Sequence, residues 1–175
     1  MCSSDLVTQL AGITGPSQFE AIDALGAEEI NLADELRGAL TDGDRCSFVQ
    51  LLSALGVFWT IRGEHARLLH LAGAVTDLLD GWQPPAELAD ETLGAVTVTL
   101  SNALMTNSAS TGALHGMLRQ LGGAPEHIPH LSGQLRLLFA YDPADTDFSA
   151  FLGRLGQLAD GDDRGAALAD RKSVV

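Results

Sequence analysis

Two runs of apolar side chains between residues 48 and 79 keep a helical period and meet at a single glycine. No other feature constrains the fold as much. Phe48, Leu51, Leu52, Leu55, Phe58 and Trp59 fall at i, i+3, i+4, i+7, i+10 and i+11, so a helix places them on one broad face. Leu68, Leu71, Ala72, Val75, Leu78 and Leu79 repeat the period on the return. Gly63 between them suits the left-handed conformation that closes a helix, and Glu64 puts a carboxylate at the positive end of the next dipole. The spacing predicts antiparallel helices over 45–62 and 64–80, the second ended by Gly81, Pro84 and Pro85.

The same reading extends in both directions. Ile30, Leu32, Leu36 and Leu40 predict a helix over 28–40, and Thr41-Asp42-Gly43-Asp44 supplies its stop and the next cap. Beyond Pro85, Leu88, Leu93, Val96, Leu100 and Leu104 predict a long helix, although residues 95–100 also alternate with period two and are β-branched. Residues 107–111 form a turn with a Ser or Thr cap. A shorter helix through Leu114, Met117, Leu118 and Leu121 follows and ends at Gly122 and Gly123. A third pair is expected after Pro125 and Pro129, with Leu131, Leu135, Leu138 and Phe139 on one helix and Phe148, Leu152, Leu155 and Leu158 on the other. Asp142, Pro143 and Asp145 make its turn. A last segment, 162–170, starts an eighth helix through Ala166, Ala167 and Leu168.

Hairpins recurring at roughly 35–45 residues fall in the range of helical repeats, in which each unit buries its apolar face on its neighbours. The expected fold class is therefore all-α, with antiparallel helical hairpins stacked as a short tetratricopeptide-like solenoid. Residues 1–17 are read as a flexible lead-in, 18–170 as the helical-repeat domain and 171–175 as a tail.

Composition narrows the function. A net charge of −13 opposes binding to nucleic acid or an anionic membrane, both of which demand clustered Lys and Arg. The longest apolar stretch, residues 48–61, falls short of the roughly 20 residues needed to cross a bilayer and contains Gln50 and Ser53. Cys2 and Cys46 are too few for a disulfide framework, and the first residues lack a basic-then-apolar leader, so a cytoplasmic location is expected. One lysine, Lys172, amid abundant Ala, Leu, Gly and Asp, is the bias of GC-rich coding.

Residues 18–81 carry a more specific pattern. Glu28-Glu29-Ile30-Asn31-Leu32 leads to Leu36 through Leu40, Gly43-Asp44, Leu51 through Leu55, and Phe58-Trp59-Thr60-Ile61-Arg62-Gly63. Leu55-Gly56, Trp59 and Gly63 also match the Leu-Gly, aromatic and turn glycine of the tetratricopeptide repeat, while Leu68 stands where that repeat has a small residue. The whole resembles the helical-repeat region of AfsR/SARP-like STAND-ATPase transcriptional regulators of actinobacteria. The resemblance implies a segment that follows an ATPase module and contacts a protein partner or that module, while a separate domain reads DNA. After residue 81 it weakens, and the Trp expected near Arg164 or Gly165 is missing.

Candidate chemical sites are poor, so no catalytic, cofactor-binding or metal residue is assigned and no enzyme is expected. There is no phosphate loop, no nucleophile elbow and no His-Glu-x-x-His. Cys46 has no His nearby in sequence to activate it. Glu126, His127 and His130 are interrupted by Pro129. His65 and His70, five apart, point in different directions, and His115 stands alone. Asp142, Asp145 and Asp147 lack calcium-loop spacing. Asp160, Asp162 and Gly165 have it, but Arg164 and Arg171 stand where ligands belong. Phe58 and Trp59 are read as core, Trp82 as exposed, and the acidic turns as solvated or as a dock for a basic partner. The competing reading is an independent small-molecule-binding helical bundle with its pocket near Trp59 and Met117.

Overall fold

A computed structural model describes residues 18–106, 108–122 and 138. The expectations for residues 1–17, for the third helix pair, for the eighth helix and for the tail lie outside these residues, Leu138 excepted, which is helical and buried. The chain divides into two compact units, residues 1–121 and 122–175, a division that falls at the Gly122-Gly123 helix stop. The described part of the first unit is wholly helical, with no strand among its described residues. Its helices are α1 (Gln18–Asp42), α2 (Arg45–Ile61), α3 (His65–Leu79), α4 (Ala89–Met105) and α5 (Thr111–Gly122), with a 3-10 turn, Ala86–Leu88, leading into α4.

The junctions between α1 and α2, and between α2 and α3, use one device. Gly63 has φ +75°, its amide donates to the Thr60 carbonyl at 3.1 Å, and the Glu64 amide donates to the Trp59 carbonyl at 2.8 Å. That pair of bonds is the Schellman closure, and it satisfies carbonyls the helix end would otherwise leave open. Gly43, at φ +70°, repeats it, with the Asp44 amide on the Ala39 carbonyl at 2.9 Å. Asp44 then caps α2: its carboxylate accepts from the Ser47 amide at 3.2 Å and the Ser47 hydroxyl at 2.6 Å. The Arg45 guanidinium donates to the Leu78 carbonyl at 2.8 Å, joining the start of α2 to the end of α3 as an antiparallel pair requires.

Helix α1 begins at Gln18, ten residues before the start that its leucine row suggests. The buried row also differs: Ala21, Leu25, Leu32, Leu36 and Ala39 face inward, while Ile30 is 77% exposed. Leu25 lies one heptad before Leu32 and extends the same stripe, whereas Ile30 sits about 160° around the helix from Leu32.

Helix α2 is the centre of the unit. It packs on α1, α3 and most extensively on α4, and burial runs around the helix through Phe48, Leu52, Ser53, Ala54, Leu55 and Phe58. Fully burying a side chain such as Phe48 or Leu52 stabilises by about 1.5–3 kcal/mol. Helix α4 lies against both α2 and α3, which explains the period-two alternation of residues 95–100. A helix covered on two sides buries residues off any single stripe, here Ala95, Val96, Val98, Thr99 and Leu100. Two of its buried hydroxyls bond back to the helix, Thr92 Oγ1 to the Leu88 carbonyl at 2.7 Å and Thr99 Oγ1 to the Ala95 carbonyl at 2.8 Å, whereas Thr97 Oγ1 is buried without a hydrogen-bond partner among the described residues. None of the helices among the described residues is long and apolar enough to cross a membrane.

Candidate functional site

The polar groups on α1, α2 and α3 gather into a clasp. Trp59 is 3% exposed, and its indole Nε1 donates to Glu29 Oε1 at 3.1 Å. Arg67 Nη1 forms an ion pair with the same oxygen at 2.8 Å, and Arg62 stands 3.8 Å from Oε2. Glu64 bridges the two arginines, at 3.2 Å from Arg62 Nε and 2.8 Å from Arg67 Nε. Each guanidinium also lies 5.3 Å from an aromatic centroid, Arg62 over Phe58 and Arg67 over Trp59. The Glu29 carboxylate is occupied by its neighbours, so this cluster ties helices together and offers no free acid or base. Trp59 and Phe58 are core residues as expected, with the indole nitrogen satisfied by Glu29.

A second polar set crosses from α3 to α4. The His65 Nδ1 lies 2.6 Å from Asn102 Oδ1, and Asn102 Nδ2 donates to the Val98 carbonyl at 2.7 Å and to Thr60 Oγ1 at 3.3 Å. An amide oxygen only accepts, so Nδ1 carries the proton. Asn102 is 2% exposed, and these bonds compensate the burial of its amide.

A depression in two adjoining parts lies at the C-terminal end of α3. One part, about 500 Å³, is walled by Leu79, Trp82, Val96, Met117 and Leu121, with Thr92 on the α4 floor. The other part, about 470 Å³, is bordered by Thr76, Asp77, Asp80, Ala113 and Gly116, and both parts share Met117 and Gln120. Trp82 is half-buried here and not the exposed residue its place beside Gly81 suggests. Its amide donates to the Leu79 carbonyl at 3.1 Å, which turns the chain back over the end of α3. The pocket expected near Trp59 and Met117 therefore contains Met117 and excludes Trp59, whose ring is consumed in the clasp. A Trp followed by Gln-Pro-Pro in a short connection was the available signal, because a purely solvated turn has no use for an indole.

The remaining candidates stay apart. His70 is exposed, His115 is 2% exposed, and Cys46 is a free exposed thiol. Among the described residues no three His, Cys, Asp or Glu side chains converge as metal ligands. Glu126, His127, His130, Asp142, Asp145, Asp147, Asp160 and Asp162 lie outside the described residues. Compared with family models, with curated proteins and with solved structures, the chain matches none.

Proposed function

We propose that the chain is a non-catalytic helical-repeat segment of a transcriptional regulator, stacked in tetratricopeptide fashion, which contacts a protein partner or the regulator's own ATPase module. The observation that carries the repeat reading is the seating of α4 across both α2 and α3, where the first helix of a following unit would sit. Gly56 sets the closeness of that seat, since a Cβ there would stand 2.6 Å from Val98 Cγ1. The regulator assignment rests on the resemblance of residues 18–81 alone, and the acidic surface suits contact with a basic protein better than with a nucleic acid.

The test begins with the DNA flanking the reading frame. An adjoining ATPase module should co-purify with the chain when the two are co-expressed, and a flanking region encoding neither an ATPase nor a DNA-binding domain would remove the regulator assignment. A small-molecule-binding bundle is the second reading, favoured by a depression whose first part falls in the size range of ligand pockets. A thermal-shift screen with uncharged aromatic compounds, giving stabilisation in the wild type that Met117→Ala abolishes, would support it.

A further inference from the structure

The depression beside α3 has two chemically different ends. At one end Trp82, Leu79, Val96 and Met117 form an apolar seat, and at the other Asp77 and Asp80, one helical turn apart, edge the opening. Neither aspartate has an ion-pair partner among the described residues, and no Lys, Arg or His is among the described residues that border either part. The C-terminal end of α3 adds its own negative potential beside them. At the acidic end the α5 wall is low: Ala113 and Gly116 border the opening, and a Cβ on Gly116 would meet nothing within 4 Å. Helix α4 floors the apolar part alone, and α3 and α5 border both parts, which makes an open trough between two helices. Residues 113–121 of α5 span roughly 12 Å at 1.5 Å per residue, about two turns of a helix laid alongside.

We propose that this trough docks a basic amphipathic helix of a partner protein, with a large apolar side chain in the Trp82 and Met117 seat and a Lys or Arg about one turn away against Asp77 and Asp80. The inference rests on the protein-contact reading above and names the partner's chemistry. A trough open along its length lets a helix lay down its apolar face. A chain of net charge −13 attracts a basic partner and repels a second copy of itself.

The probe is a synthetic, end-capped 18-residue amphipathic helix of Leu, Ala and Lys carrying a fluorophore, titrated with the full chain by anisotropy at about 100 mM salt. A matched peptide with Glu for every Lys is the charge control. Trp82→Ala and the double variant Asp77→Asn/Asp80→Asn should each weaken binding about tenfold, since anchor residues dominate such interfaces. The double variant Asp23→Asn/Asp34→Asn removes the same charge from the exposed side of α1 and should change binding less than twofold. Circular dichroism and melting of all three variants should match the wild type.

Equal weakening by the α1 control would reduce the attraction to net charge and overturn the proposal, as would unchanged binding in Trp82→Ala or equal binding of the Glu peptide. A concentration-dependent dimer in sedimentation that Trp82→Ala abolishes would assign the trough to a second copy and overturn it too. Failure here with a co-purifying ATPase module would leave the regulator reading standing. Specific peptide binding with no such module in the flanking DNA would remove the regulator assignment and leave the trough.

Discussion

At the scale of single residues, Gly56 and Trp59 do work that no neighbour can take over. Replacing Gly56 with Ala forces the new methyl into Val98, 2.6 Å from Cγ1 and 3.4 Å from Cγ2, with Leu68 at 3.4 Å on the other side. Val98 is β-branched and stiff on a helix, so the strain passes into the spacing of α2 and α4. We expect Gly56→Ala to cost about 1–3 kcal/mol by chemical denaturation, and Val98→Ala in the same chain to recover part of it. Full recovery of wild-type stability by Gly56→Ala alone would mean the two helices are not in close contact. Trp59→Ala should cost about 3–5 kcal/mol through its cavity. Trp59→Phe keeps most of the ring but loses the donor to Glu29, and should cost less than the alanine variant; equal losses would show that the ring contributes little. The burial of Trp59 was legible from its place in the apolar row. Its partner Glu29 was not, because thirty residues separate them and one acid on a helix looks like any other until a neighbouring helix arrives.

At the scale of elements, the hairpin corners are local chemistry, and they were readable in advance. Thr41-Asp42-Gly43-Asp44 and Gly63-Glu64 end and restart helices where expected, since positive φ and capping depend on residues within one turn. Asp44 carries a testable pH dependence. The hydrogen bond from the Ser47 hydroxyl, with the Ser47 amide behind it, holds its carboxyl below the usual carboxylate range, against a small opposing effect of burial. A carboxylate depressed in the folded state adds stability above its unfolded value of about 3.9 and loses it as pH falls through the folded value. Asp44→Ala should therefore be less stable than wild type by about 0.5–2 kcal/mol at neutral pH, and the gap should narrow below pH 4. A gap that stays constant from pH 7 to pH 2 would show that the charge of the cap contributes nothing. The start of α1 is not legible at this same scale. Ala21 and Leu25 are sparse apolar markers, and Phe19 is 81% exposed, so the first turns make sense only against α2.

For the described unit as a whole, stability should concentrate where α2 and α4 meet, since that contact is the most extensive in it. Native-state hydrogen exchange should show the slowest amides in residues 51–58 and 95–102, with faster exchange at the start of α1. Uniform protection across all helices would contradict this ordering. The sequence by itself determined the elements: helical period, glycine stops and acidic caps act over one to three turns, so the order of the five helices followed from residues near in the chain. Only the tertiary structure decided which faces each helix shares. It turned Ile30 outward, joined Glu29 to Trp59, and set Trp82 beside Met117 over a trough edged by Asp77 and Asp80. Those pairings depend on where separate helices cross, and periodicity along one helix carries no record of its neighbours.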